Sequence, residues 1–225
     1  MSDKIGYDGV MNKDNDYVVI LHGIFRTKWH MRKLAAYLAS QGYDVVNLNY
    51  PSTKYPLEML AEITWHNISA TLKTNKPVHF VGYSMGGLLL RIMLGKYRPN
   101  YMGRVIHLAA PNGGSEVADF LKNNWLYQKL YGPAGQQLIT DQSSVAHLFN
   151  DIDYECGVIA GSMSLDPFCS HFINGKNDGK VSIEHTKLNG MQDHIIIHST
   201  HTWFPYNKQV QEQTLQFIRE GAFKR

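Results

Sequence analysis

The sequence predicts an α/β domain with a mostly parallel sheet of about six strands and helices on both faces. Two observations indicate this fold class: short apolar runs rich in β-branched residues, and segments of helical periodicity between them. Strands that alternate with helices form a parallel sheet that the helices cover on both sides. No linker divides the 225 residues, so a single domain spanning residues 1–225 is expected.

Six short apolar runs predict the strands. They lie at residues 17–21, 43–48, 78–81, 104–109, 158–160 and 195–197. The first run, Tyr-Val-Val-Ile-Leu, is apolar throughout, which is typical of a strand buried on both faces of a parallel sheet.

Four segments with apolar residues three or four positions apart predict helices. They lie at residues 29–40, 56–72, 85–97 and 206–220. In the first helix, Met31, Leu34 and Leu38 share one face, and Gly42 follows as a stop signal. The second helix has Pro56 near its first position, where the missing N–H costs no helical hydrogen bond.

Residues 112–150 interrupt this alternation. The segment is too long for a simple crossover and is rich in large apolar residues, among them Trp125, Leu126 and Tyr127. These residues belong either to the core or to a cap over a cleft, and the sequence leaves both interpretations open. We expect a cap-like or lid-like excursion within the domain.

Composition excludes several classes of protein. Lys and Arg number 22 against 19 Asp and Glu, and the charges are scattered, so no nucleic-acid surface is expected. The two cysteines, Cys156 and Cys169, form no C-x-x-C motif, which excludes a disulfide framework and a thiolate zinc site. We expect neither a metal nor a cofactor.

No apolar stretch approaches the roughly 18 residues that a membrane span needs, so stable membrane insertion is not expected. The first residues lack the apolar segment of a secretory signal, which favours a cytoplasmic location. The sequence does not indicate an oligomeric state.

The sharpest local feature is Gly-Tyr-Ser-Met-Gly-Gly at residues 82–87, between a predicted strand and a predicted helix. A G-x-S-x-G motif in that setting forms a tight turn that exposes the serine hydroxyl at the carboxyl edge of the sheet. A chain of this composition contains roughly 0.1 such motifs by chance. The strand before the motif and the helix after it therefore decide whether it is functional. That context predicts Ser84 as a nucleophile, with the amino terminus of the helix favouring developing negative charge.

A serine nucleophile also needs backbone N–H donors for the oxyanion. The Met85 N–H is expected to be one donor. The other should come from the loop after the first strand, where the Ile24 N–H is favoured over that of Phe25. His22, at the start of this loop, is interpreted as a structural histidine that supports it.

The general base is expected in the loop after the last strand. His201 lies there, ahead of the final helix, and is the best-placed of eleven histidines. His198 at the strand end is the second candidate, and His185 and His171 are weaker ones.

The acid that orients the base should lie between the serine and the histidine in the chain. Asp178 is favoured, although Asn-Asp-Gly by itself is typical of a turn without chemistry. Asp166 is the alternative.

Five motifs in this order resemble those of the α/β-hydrolases, and among them small bacterial lipases and esterases. They are Leu-His-Gly-Ile at 21–24, the motif at 82–87, Ala-Pro-Asn-Gly-Gly-Ser at 110–115, Asn-Asp-Gly-Lys-Val-Ser at 177–182 and Thr-His-Thr at 200–202. The resemblance spans residues 17–223 and implies an α/β-hydrolase fold with a minimal sheet. It also implies a Ser84–Asp178–His201 triad and an oxyanion hole formed by Ile24 and Met85.

The resemblance further implies a carboxylic ester hydrolase acting on a small-molecule ester. The excursion at 112–150 is short beside the lids of true lipases, which favours short to medium acyl chains and leaves lipids open as substrates. Some lipases of this group bind calcium, but no cluster of carboxylates suggests such a site in this sequence. Phe25, Trp125 and Trp203 are the candidate substrate-binding residues, with Trp29 and Leu126 nearby in the chain.

Other functions stay open. A thioesterase or an acyltransferase can use the same triad, and a hydrolase scaffold can also serve as a non-catalytic binding module. A nucleotide-binding protein is excluded, because the turn at 82–87 has neither G-x-G-x-x-G spacing nor a Walker lysine.

Overall fold

Six strands form one sheet in the computed structural model, which describes residues 15–72, 75–141, 143 and 145–225. They are β1 (Tyr17–Leu21), β2 (Asp44–Leu48), β3 (Val78–Tyr83), β4 (Met102–Leu108), β5 (Cys156–Gly161) and β6 (Asp193–Ile197). The order across the sheet is β2-β1-β3-β4-β5-β6, and all five pairings are parallel. The predicted fold class is therefore confirmed, with small shifts at the strand ends.

The strand order brings two distant loops together. From β1 the chain first adds β2 on one side, and from β3 onward it adds strands on the other side. The carboxyl ends of β1 and β3 are therefore neighbours, with Leu21 paired with Gly82. Ligands of open α/β sheets bind at such a reversal point, in the crevice beyond the carboxyl ends of the strands.

Helices cover both faces of the sheet. Within the described ranges they are α1 (Arg32–Ser40), α2 (Leu57–Ser69), α3 (Met85–Lys96), α4 (Glu116–Leu121), α5 (Trp125–Gln136), α6 (Pro167–His171), α7 (Ile183–Thr186) and α8 (Lys208–Glu220). Successive side chains of β1 point to opposite faces of the sheet, where two hydrophobic cores lie. Val19 and Leu21 pack with α2 and α3 on one face, whereas Val18 and Ile20 pack with α1 and α8 on the other. None of the helices in this part of the chain combines the length and apolar character that a membrane span requires.

The four predicted helices are α1, α2, α3 and α8. The first begins with a 3₁₀ turn at Lys28–Met31 before α1 itself starts. Pro56 is the N-cap of α2 rather than its first helical residue, and Gly221 ends α8 in the left-handed conformation.

The excursion at 112–150 contains α4, α5 and a 3₁₀ turn at Ala146–Leu148. Gly132 kinks α5 with a φ of 63°, and a Cβ there would lie 1.8 Å from the Thr53 carbonyl oxygen, so only glycine fits. Tyr127 and Leu138 pack in the core with α2 and α3, whereas Trp125 and Leu126 are exposed. The excursion therefore contributes both to the core and to the surface.

Candidate active site

Ser84 lies in a sharp turn between β3 and α3. Its φ of 54° is unusual for a residue other than glycine, and its N–H donates to the Leu108 carbonyl at 2.8 Å. The turn is tight because the backbone passes itself closely: a Cβ on Gly82 would lie 2.6 Å from the Gly86 carbonyl oxygen. A Cβ on Gly86 would lie 2.6 Å from the Leu21 carbonyl oxygen. Both glycines of the motif are therefore sterically required.

We expect Gly82→Ala to lower the free energy of unfolding by about 3 kcal/mol, because its Cβ meets backbone atoms that no side-chain rotation can clear. Urea denaturation measures this loss. Gly175→Ala is the matched control, since Gly175 has a φ of 79° but no atom within 4 Å of the added carbon. That control should lose only about 1 kcal/mol, and an equal loss in the two variants would contradict the steric account.

The structure brings Ser84, His201 and Asp178 into one line. His201 Nε2 lies 3.1 Å from Ser84 Oγ, and His201 Nδ1 lies 2.8 Å from Asp178 Oδ2. Hydrogen-bonding distances of this kind join the nucleophile to a base and the base to an orienting carboxylate. The three residues lie after β3, in the loop after β5 and after β6, at the carboxyl edge of the sheet.

The Asp178 side chain is fully buried and held from several directions. Its Oδ1 accepts the N–H groups of Lys180 and Val181 at 3.0 and 2.9 Å. Its backbone carbonyl accepts the His201 N–H at 2.9 Å. The Asn-Asp-Gly segment is therefore a turn, as its composition indicates, and the same turn presents Oδ2 to the imidazole.

The alternative candidates lie elsewhere. Asp166 is the N-cap of α6, where the Cys169 N–H and the Lys180 ammonium group lower the pKa of its carboxyl. His198 and His171 are exposed, and His185 Nδ1 lies 3.1 Å from a Glu116 carboxylate oxygen.

The loop after β1 passes directly beside the serine, since a Cβ on Gly23 would lie 3.0 Å from the Ser84 Cβ. The Phe25 N–H, the less favoured alternative to the Ile24 N–H as second oxyanion donor, donates to the Ser52 hydroxyl at 3.2 Å and is therefore occupied. Within the described part of the chain, no protein acceptor is bonded to the N–H of Ile24 or of Met85.

His22 supports this loop from below. Its ring is fully buried and stacks on Tyr50 with the ring centres 4.2 Å apart. The Tyr50 hydroxyl donates to the His22 carbonyl oxygen at 2.5 Å. Burial lowers the pKa of His22 to about 4, so the ring is neutral at pH 7. The interpretation of His22 as a structural histidine agrees with these contacts.

Stability should fall as the pH drops from about 6.5 to about 4. Burial lowers the pKa of His22 to about 4 and that of His107 to about 3, whereas both have a pKa near 6.5 when unfolded. In this window the unfolded chain binds more protons than the folded one, so acidification favours unfolding, by about 3 kcal/mol for His22 alone. Urea denaturation at pH 7.5 and pH 4.5 measures the loss. His22→Gln should reduce it by that amount and exposed His198→Gln should not; equal losses in both variants would contradict the assignment.

A cavity of about 150 Å³ opens beside Ser84 and His201. Most of its wall is apolar and comes from the loop after β1, from Pro111 after β4 and from the excursion: Ile24, Phe25, Pro111, Val117, Ala118, Leu121, Tyr127, Tyr131 and Leu138. Phe25, predicted to bind substrate, lines this cavity. Trp125 and Trp203 do not, and they are 70% and 60% exposed. In α5 it is Tyr127 and Tyr131 that face the cavity, so Trp125 near its start points elsewhere.

Sequence reasoning also missed Tyr83. This residue is almost fully buried, and its hydroxyl donates to the His201 carbonyl oxygen at 2.8 Å. Its ring centre lies 5.2 Å from that of His201. The one sequence signal for Tyr83 is its position directly before Ser84. The G-x-S-x-G motif accepts any residue type there, so this signal does not indicate a tyrosine with a role.

Comparison with known proteins agrees with the fold. The family model of the alpha/beta hydrolase fold matches residues 16–152, and the chain belongs to this family. The predicted resemblance is thus confirmed. The search of the curated proteins found no match.

Several solved structures share the fold. The mature lipase BlEst2 of Bacillus licheniformis is 20% identical, with a TM-score of 0.71 over 93% of each chain. The metagenomic carboxyl esterase MGS0156 is 17% identical, with a TM-score of 0.67 over 84% of this chain and 65% of that one. Tomato methylketone synthase I, in complex with 2-tridecanone, is 13% identical, with a TM-score of 0.62 over 93% and 99% of the two chains.

Proposed function

We propose that this protein is a serine hydrolase of carboxylic esters, with Ser84 as nucleophile, His201 as general base and Asp178 as the orienting acid. The observation that carries the proposal is the continuous hydrogen-bonded line from Ser84 Oγ through the His201 ring to the buried Asp178 carboxylate. The lipase and esterase among the similar structures support the same chemistry.

In this mechanism Ser84 Oγ attacks the ester carbonyl carbon while His201 Nε2 takes the hydroxyl proton. Asp178 keeps the proton on His201 Nδ1 and stabilises the imidazolium that forms. The N–H groups of Ile24 and Met85, which have no protein acceptor in the described chain, receive the developing oxyanion. His201 then protonates the leaving alcohol, which leaves an acyl group on Ser84. Water, which gives its proton to His201, attacks this acyl-enzyme, and His201 returns the proton to Ser84 as the acid is released.

The cavity is the proposed acyl site. Its volume of about 150 Å³ and its apolar wall suit a chain of roughly four to eight carbons, since a cavity of this size holds a six-carbon ring in other proteins. We further propose that residues 112–150 act as a cap of one domain spanning residues 1–225, because α4 and α5 supply much of this wall.

Hydrolysis of a series of p-nitrophenyl esters of increasing acyl length tests this function. We expect turnover to peak at short to medium chains and to fall for longer ones, with Ser84→Ala inactive throughout. Absence of turnover for every ester would contradict the proposal. Faster release from the matching thioesters would assign the protein as a thioesterase.

Tyr83→Phe should lower kcat by roughly tenfold with little change in KM, because the lost hydroxyl no longer holds the His201 backbone. Tyr154→Phe is the control, since this buried hydroxyl has no hydrogen-bond partner among the described residues and lies outside the cavity. Steady-state kinetics on one short ester separate kcat from KM. A tenfold rise in KM with unchanged kcat would show that Tyr83 acts on substrate binding instead.

A further inference from the structure

Exposed and half-buried aromatic and cationic side chains gather on one side of the cavity mouth. We call this set the aromatic–cationic patch; it comprises Arg26, Lys28, Trp29, Arg32, Trp203 and Tyr206. Several of these residues contact one another: Arg32 donates to the Trp29 carbonyl at 3.0 Å and to the Tyr206 hydroxyl at 2.8 Å. The Trp203 and Tyr206 ring centres lie 5.7 Å apart. Trp29 is 62% exposed, so its indole is presented to solvent and not to the core.

The segments that build this patch carry an excess of basic residues. Residues 22–43 and 194–211 contain five Lys and Arg residues and no Asp or Glu, although Lys208 lies 3.6 Å from Glu212 just beyond the second segment. The whole chain carries almost as many acidic as basic residues, so this separation is local. Lys28 Nζ lies 6.0 Å from the Trp29 ring centre, which places a cation directly beside an exposed indole.

The other side of the mouth exposes apolar side chains beside the Lys180–Asp166 ion pair. Phe120, Phe168 and Phe172 form a phenylalanine cluster, in which the rings of Phe120 and Phe172 stack at 3.9 Å. Phe120 and Phe168 are exposed. Phe120 belongs to α4, whose Val117 and Leu121 line the cavity. On the patch side the cavity is lined by Arg26 and Phe25, so the cavity opens between the two surfaces.

We propose that this face docks on an anionic lipid surface, with the aromatic–cationic patch and the phenylalanine cluster both in contact with it. Indole and phenol rings that expose an apolar body and a polar edge favour the level of the lipid headgroups. Cations beside them attract anionic headgroups. The exposed phenylalanines can enter the acyl boundary, and the cavity mouth between the two surfaces then faces the lipid.

This arrangement favours lipid over a nucleic acid. Single-stranded nucleic acid needs a cationic groove that follows its backbone, with aromatic rings for its bases. Here the cations of the patch lie on one side of the mouth, whereas the other side carries the phenylalanine cluster and a Lys180 that is paired with Asp166. A lipid surface offers both chemistries at once, and it would deliver an acyl ester directly to the mouth. The delivery of an acyl ester to the mouth rests on the proposed function, whereas the docking itself does not.

Co-sedimentation of the full chain with vesicles tests the docking. We expect much stronger binding to phosphatidylcholine vesicles that contain phosphatidylglycerol than to phosphatidylcholine alone, and weaker binding at high salt. Arg26→Gln with Lys28→Gln should weaken binding to the anionic vesicles by roughly 30-fold. Trp29→Ser with Trp203→Ser should weaken it by at least roughly tenfold.

Two controls are matched to these variants. Tyr101→Ser removes an equally exposed aromatic ring at the start of β4, on the opposite edge of the sheet, and Lys96→Gln removes an exposed cation at the end of α3. Neither should change vesicle binding. Thermal unfolding of each variant shows that it folds, and all substituted side chains lie at the surface.

Several outcomes would overturn the proposal. These are equal binding to the two kinds of vesicle, binding to neither, and equal losses in the control variants. Tighter binding to single-stranded DNA would assign the patch to nucleic acid, and a dimer that Trp29→Ser with Trp203→Ser dissociates would assign it to self-association. Vesicle binding is measured without turnover. A lack of lipid binding can therefore be distinguished from a lack of reactivity at Ser84.

Discussion

Ser84→Ala is expected to lower kcat for a short p-nitrophenyl ester by roughly 10⁵-fold, because among the described residues Ser84 alone places a hydroxyl within hydrogen-bonding distance of His201 Nε2. Initial rates measured at matched concentrations give the ratio, and the urea denaturation curve of the variant should match that of the wild type. Ser40→Ala, an exposed serine at the end of α1, is the control and should keep full activity. If Ser84→Ala kept a tenth of the wild-type rate, Ser84 would not be the nucleophile.

Asp178→Asn is expected to cost roughly 10⁴-fold in kcat. An amide in place of the carboxylate cannot hold the proton on His201 Nδ1 or stabilise the imidazolium. The amide also meets two backbone N–H donors, from Lys180 and Val181, so its oxygen is drawn to them and its NH₂ group is turned toward the imidazole. The proton on the ring then moves to Nε2, where it blocks acceptance from Ser84.

Asp166→Asn is the control for this prediction. Asp166 also lies after β5 and was the alternative acid, but it pairs with Lys180 at 2.8 Å and caps α6. Its substitution should change kcat by less than roughly threefold. A larger loss of kcat for Asp166→Asn than for Asp178→Asn would show that Asp166, and not Asp178, is the acid that orients His201.

The parts of the fold that could be predicted depend on local patterns. The run Tyr-Val-Val-Ile-Leu is buried on both faces, and a sequence shows such burial directly as an unbroken apolar stretch. The positions of Ser84 and His201 could also be predicted, because each lies in a short loop directly after a strand of a parallel sheet.

Contacts between distant segments could not be predicted. The Ser52 hydroxyl that engages the Phe25 N–H lies 27 residues from it, and Tyr83 lies 118 residues from His201. The placement of Trp125 and Trp203 outside the cavity could not be predicted for the same reason. An aromatic residue after a strand can face the cavity or the solvent, and only the packing of α5 and of the last loop decides which.

The most direct test of the central claim is the intact mass of the protein after reaction with a fluorophosphonate, with Ser84→Ala alongside. An activated serine displaces fluoride from this reagent and keeps the phosphonyl group. The proposed function predicts one adduct on the wild type and none on Ser84→Ala. No adduct on the wild type, or the same adduct on both proteins, would contradict it.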